Sequence, residues 1–142
     1  MKPTKRTILA FDERQLKQIE ALQESLTTIA NEAKVISNKD FFLIAMSVGF
    51  AAKNPLPDIK RSNNGVRIQY LLPADNVLLA SLQAAETKDP NSLLQIEELY
   101  DLAERYSAGG VAILWERHQS ERDFAEWFAS FLFRPLREAA EA

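Results

Sequence analysis

A chain of 142 residues, 46% hydrophobic and 26% charged, reads as one domain (1–142) able to bury a core without staples. It has no cysteine, which excludes disulfides, a thiolate nucleophile and any Cys-ligated zinc or iron–sulfur site. Net charge is −3, divided as +4 over residues 1–67 and −7 over 68–142, so a basic half suited to phosphate precedes an acidic half suited to protein partners or to solubility; chance also produces such a split.

The N-terminus, MKPTKRTILAFDER, has only a four-residue apolar run, too short for a signal-peptide core, and no stretch reaches transmembrane length. The expected location is the cytoplasm, with no membrane contact. Thr7 to Phe11 favours a short strand. A helix follows, with Asp12 as cap, Gln15 at the third position and Phe11 stapled to Leu16. Leu16, Ile19, Leu22, Leu26, Ile29, Ala33 and Ile36 recur at three or four residues and line one face, so this helix is expected to reach about residue 35. Ser37 to Asp40 reads as a capping box opening a second helix, FFLIAMSVGFAAK. That segment is apolar nearly all round and belongs at the core's centre, with Gly49 allowing a close helix crossing. Asn54-Pro55 ends it.

Pro55 and Pro57 open an extended stretch. Asn64-Gly65 is a strong turn signal, and Val66, Ile68 and Tyr70 alternate with Arg67 and Gln69, so residues 58–62 and 66–71 are expected to pair as a hairpin. Pro73 starts a helix to about Thr87, and Asp89-Pro90 starts another. Leu94, Leu99, Leu102, Ala103 and Tyr106 form that helix's inner face, and Gly109 is expected to close it in a left-handed cap. A short helix then runs through Trp115. Ser120 to Asp123 reads as a further capping box, opening a helix with Phe124, Trp127, Phe128 and Phe131 on one face. Pro135 interrupts it, and the tail, 138–142, frays. The expected fold is mainly α: a compact bundle of about five to six helices with one small β-hairpin (58–71) and the short N-terminal strand.

Two stretches carry a resemblance: KDFFLIAMSVGF at 39–50, and LASLQAAETKDPNSLLQIEELYDLAERYSAGGVAILWE at 79–116. In their apolar spacing, the AET-x-DP turn at 85–90 and the Ala108-Gly109-Gly110 joint, they resemble the DNA-phosphorothioation-associated protein 4 family, over roughly residues 38–118. The resemblance implies an accessory protein of a bacterial system that modifies DNA with phosphorothioate or restricts DNA lacking it, an anti-phage defence. It implies other proteins of that system as partners. It carries no catalytic signature.

Among the candidate groups, His118 is the only histidine. Without acidic partners it makes neither a triad nor a His-rich metal site, and at a helix end it suits a surface or capping role. Glu97, Glu98, Asp101 and Glu104 share faces at i,i+3 and i,i+4, a pattern open to divalent metal or acid–base work but more common as a solvated helix face. Gly109-Gly110 before a helix start can receive an anion, but lacks the spacing and Lys of a phosphate loop, and a tight helix corner accounts for it more simply.

The basic groups are the strongest lead. Lys60, Arg61 and Arg67 flank the expected turn and can reach phosphates together, with Asn63 and Asn64 donating hydrogen bonds; Lys2, Lys5 and Arg6 precede the first strand. The alternative is a hairpin whose edge is protected by cations. Trp127, Phe131 and Phe133 widen the last helix's apolar face enough to serve a partner interface, including a homo-oligomer. No catalytic residue, metal or cofactor is expected. The reading is a non-enzymatic accessory DNA-binding or adaptor protein. Its rival is a protein–protein interaction subunit that never touches DNA, and a hydrolase or nuclease ranks last because the several ligands such chemistry needs cannot be assembled.

Overall fold

Ile8–Asp12 forms strand β1, with Leu9 and Phe11 buried on its inner side. Asp12 then caps a single 3-10 turn, Glu13–Gln15, by accepting a hydrogen bond from the Arg14 N–H, and the chain continues into helix α1, Leu16–Ile29. The structure is a computed structural model and describes residues 6–29, 35–88, 96–120 and 123–130. Ile19, Leu22 and Leu26 are the buried stripe of α1, as their spacing requires. The expected continuation to residue 35 lies partly outside the described residues.

Helix α2, Asn38–Ala51, opens where Ser37 Oγ accepts the Asp40 N–H, half of the expected capping box. Phe41, Phe42, Ala45, Met46 and Val48 are buried, so both sides of this helix face protein. Phe11 meets Phe41 and Phe42 with ring centroids 6.0 and 5.9 Å apart, tying β1 to α2. The remaining elements are strand β2 (Arg61–Arg67), a 3-10 turn (Ile68–Tyr70), helix α3 (Pro73–Thr87), helix α4 (Ile96–Ser120) and a short helix α5 over 124–130. The fold is mainly helical with one two-stranded antiparallel sheet, the expected class. One hydrophobic core draws residues from every one of these strands and helices. Among the described residues no helix is long and apolar enough to cross a membrane.

Three local expectations are corrected, and glycine accounts for all three. The 58–62/66–71 hairpin does not form. Residues 61–67 run as one strand antiparallel to β1, pairing Ile8 with Arg67, Leu9 with Val66 and Ala10 with Gly65. Gly65 is therefore mid-strand rather than in a turn. A Cβ there would stand 2.0 Å from the Leu9 carbonyl oxygen, so glycine lets the strands close. Nor does Gly109 end a helix or Gly110 begin one, because α4 runs through both. A Cβ at Gly110 would fall 1.7 Å from the Ala45 oxygen, one at Gly109 would fall 1.7 Å from the Asn54 oxygen, and one at Gly49 would fall 2.0 Å from the Tyr106 oxygen. The close crossing expected at Gly49 is thus real, and Gly110 is its counterpart on α4. No glycine has positive φ; the left-handed positions after α2 and α3 are held by Lys53 (φ 51°) and Lys88 (φ 58°).

At the C-terminal end, Asp123 rather than Ser120 caps α5, its Oδ1 accepting the Glu126 N–H at 3.0 Å. Ser120 Oγ instead donates to the Glu116 oxygen within α4. The expected cap at Asp89-Pro90, the stretch 131–137 and the frayed tail 138–142 lie outside the described residues.

Candidate nucleic-acid interface

The β1–β2 ribbon carries most of the expected DNA-contacting residues, but its geometry divides them. Arg61 is committed inward. Its Nε lies 3.1 and 3.2 Å from the two Glu104 carboxylate oxygens, and its Nη2 donates to Glu104 Oε2 at 3.1 Å and to the Ile8 carbonyl at 2.8 Å. Arg6 converges on the same carboxylate at 3.3 Å, and also pairs with Glu97 at 3.3 Å and with Asp101. Burial works against the charge on Arg6, but the Asp101 hydrogen bond and the attraction of Glu104, Asp101 and Glu97 outweigh it and hold the guanidinium firmly protonated. Lys60 pairs with Glu13 at 3.4 Å, both largely exposed. Lys5 lies outside the described residues, as does Lys2.

What stays open is one end of the ribbon's outer face. Arg67 is exposed, and among the described residues it takes part in no ion pair. With Thr7, Ile8, Asn63 and Gln69 it lines an open depression of about 320 Å³. Ile8 and Arg67 are directly paired, so their side chains share this face. Asn64 is separated from Asn63. It lines a second depression, of about 300 Å³, with Phe11, Leu16, Lys17, Ile19, Glu20, Gln23 and Asn38. Adjacent strand residues project to opposite faces, which divides them; Ser62 braces the ribbon irregularity between Ala10 and Asp12 by donating to the Phe11 oxygen and accepting the Asn64 N–H.

The acidic face of α4 is not simply solvated. Asp101 is exposed and Glu97 half-buried, but Glu104 is 1% exposed, and its Oε2 also accepts the Ala10 backbone N–H at 2.7 Å. Glu104 thus ties both strands to α4. A signal was present in the sequence: Tyr100, Glu104, Ser107, Val111, Leu114 and His118 recur at four and three residues, the seam of a buried helix face. Asp12, at the opposite end of β1, is held by Arg14. Burial would raise its pKa, but the hydrogen bonds from the Arg14 side chain and backbone N–H prevail and leave it below the ordinary carboxylate range.

His118 continues the buried row at the end of α4 and is half-buried rather than free on the surface. Its Nε2 lies 2.9 Å from Ser25 Oγ and its Nδ1 lies 3.1 Å from Gln119 Nε2. The ring stacks on Trp115, 5.5 Å between centroids, and meets Phe124 edge-on at 5.2 Å. Both nitrogens are engaged, so the imidazole joins α4 to α1 and α5. Trp127, expected at a partner interface, is half-buried, stacks on Phe124 and carries the Arg117 guanidinium 5.3 Å above its ring, so it is engaged within the chain. Phe131 and Phe133 lie outside the described residues. Among the described residues no group of three or more His, Asp or Glu is placed to hold a metal ion. No protein-family model, curated protein or solved structure matches the chain.

Proposed function

We propose that this chain is a non-catalytic accessory protein that contacts DNA through the open end of its β-ribbon. The resemblance in 39–50 and 79–116 supplies the setting, a phosphorothioate modification or restriction system in the bacterial cytoplasm. The observation that carries the reading is the grouping of Arg67, Asn63, Gln69 and Thr7 on the exposed end of a two-stranded ribbon. The major groove of B-DNA admits such a ribbon, and Arg, Asn and Gln are the side chains that read guanine and adenine edges there. Arg61 and Arg6 act as positioning residues: by clamping Glu104 they hold the ribbon against α4.

A second reading, an adaptor without DNA contact, is favoured by the exposed apolar side chains Tyr70, Leu72, Val77 and Leu78. Fluorescence anisotropy with plain and phosphorothioate duplexes separates the two. Under the DNA reading, both duplexes bind at low salt, affinity falls with salt, and Arg67→Glu weakens binding and flattens the salt slope by about one unit. Wild-type protein that binds neither duplex at low salt ends the DNA reading and leaves the adaptor. Binding that is indifferent to Arg67→Glu moves the contact away from the ribbon end.

A further inference from the structure

The side chains at the ribbon's open end are those that read a base rather than those that hold a phosphate. Thr7, Ile8, Asn63, Arg67 and Gln69 share one depression. Asn63, Arg67 and Gln69 are exposed, and among the described residues their side chains hold no hydrogen bond or ion pair. Gln23, Asn38 and Arg61, by contrast, use their polar groups within the fold. A surface that tracks phosphates does so with several cations, whereas Arg67 is the one charged residue lining this depression. Two amides, a hydroxyl and a guanidinium beside an aliphatic side chain are suited to base edges and thymine methyl groups.

Ile8 and Arg67 are the closest of these residues across the ribbon. The strand register sets them opposite each other. The Ile68 N–H donates to the Thr7 carbonyl at 3.0 Å, so Thr7 and Ile68 form a hydrogen-bonded pair. The alternation of an antiparallel ladder then makes Ile8 and Arg67 a non-hydrogen-bonded pair, with Cα atoms about 4.5 Å apart and side chains at the nearer cross-strand spacing. The Ile8 carbonyl accordingly points away from β2 and accepts from the Arg61 guanidinium. Ile8 is β-branched and stiff at χ1, so it stands as a fixed apolar wall beside the longer Arg67 side chain. Gly65, between Asn63 and Arg67 along the strand, adds no side chain to this face.

These dimensions match the major groove. Two strands about 4.8 Å apart fit a groove about 12 Å wide, and side chains rooted about 4.5 Å apart reach neighbouring bases stacked about 3.4 Å apart. Guanine presents O6 and N7 there as two acceptors matched to a guanidinium fork, and thymine presents its methyl group. We infer that Ile8 and Arg67 form a base-reading pair, Arg67 taking the O6 and N7 of a guanine and Ile8 the methyl group of an adjacent thymine. The inference rests on DNA contact at the ribbon end, as proposed above, and adds what is read there.

Three duplexes of equal phosphate charge test it by fluorescence anisotropy: one with alternating thymine and guanine in one strand, one with uracil replacing thymine, and one with 7-deazaguanine replacing guanine. Uracil lacks the methyl group, and its duplex should bind the wild type about fourfold more weakly. 7-Deazaguanine lacks N7, and its duplex should bind about tenfold more weakly. Changing the DNA leaves the protein unaltered, so this comparison does not depend on any variant folding. Ile8→Ala should cut the thymine preference below about twofold while keeping the guanine preference. Arg67→Ala should abolish the response to 7-deazaguanine. Equal, salt-dependent binding of all three duplexes by the wild type overturns the base-reading pair and leaves DNA contact standing. Binding to none of them at low salt overturns both. Preferences that persist unchanged in both variants place the reader elsewhere and also overturn the pair.

Discussion

Glu104→Ala is the perturbation that most directly tests how the ribbon is held. The wild-type carboxylate is 1% exposed, and it receives one backbone N–H, from Ala10 at 2.7 Å, and guanidinium groups from Arg61 and Arg6. Truncation strips the Ala10 N–H of that partner, a loss of about 1–3 kcal/mol for a buried donor. It also removes the shared partner of two cations, which are affected unequally. The Arg61 side chain is 41% exposed and keeps the Ile8 carbonyl, so water recovers part of its loss, whereas Arg6 is 11% exposed but keeps Asp101 and Glu97. The combined cost should be about 3 kcal/mol, the lower end of the range for breaking a buried pair, because neither cation is left wholly alone. Glu104→Gln keeps the volume and one acceptor but sets an amide NH2 among donors, so it should lose less than the alanine variant. Urea unfolding would measure both as a lower midpoint at unchanged slope. A loss below about 1 kcal/mol for Glu104→Ala, the scale of a surface change, would refute the idea that this carboxylate joins the ribbon to α4.

Gly110→Ala should destabilise the protein by about 1–3 kcal/mol, although alanine is intrinsically better in a helix by about 1 kcal/mol. The added Cβ would stand 1.7 Å from the Ala45 oxygen, and a neutral or raised melting temperature would contradict the close α2–α4 crossing. The Tyr106 hydroxyl, buried and donating to Glu86 at 2.7 Å, has its pKa pushed up to about 12 from 10.0. Its contribution to stability is therefore intact below pH 10 and is lost as pH rises from 10 to about 12, a change on the order of 2–3 kcal/mol. Unfolding midpoints across that window should fall less steeply in Tyr106→Phe than in the wild type, and equal slopes would show that the hydroxyl does not titrate as described.

Much of the helical framework could be read locally. Apolar periodicity placed α1 and α2, Ser37 marked the start of α2, and Pro73 and Thr87 bounded α3, because caps, proline geometry and the 3.6-residue repeat act within a few residues. The short N-terminal strand was legible for the same reason. What tertiary structure decided was the partner of each backbone segment. Asn64-Gly65 has the composition of a turn, yet β1 outcompetes local hairpin closure by offering residues 61–67 an antiparallel edge, interrupted by one irregularity, from a segment some fifty residues away. Gly109-Gly110 has the composition of a helix end, yet the Asn54 carbonyl after α2 and the Ala45 carbonyl within it lie too close for any side chain there, and that proximity exists only after the helices cross. The basic residues show the same division. Charge along the chain located Arg6, Arg61 and Arg67 in one half, but only packing brought Glu104 from α4 onto two of them and left Arg67 facing solvent. A side chain's type sets which interactions it can make, and the fold sets which partner arrives.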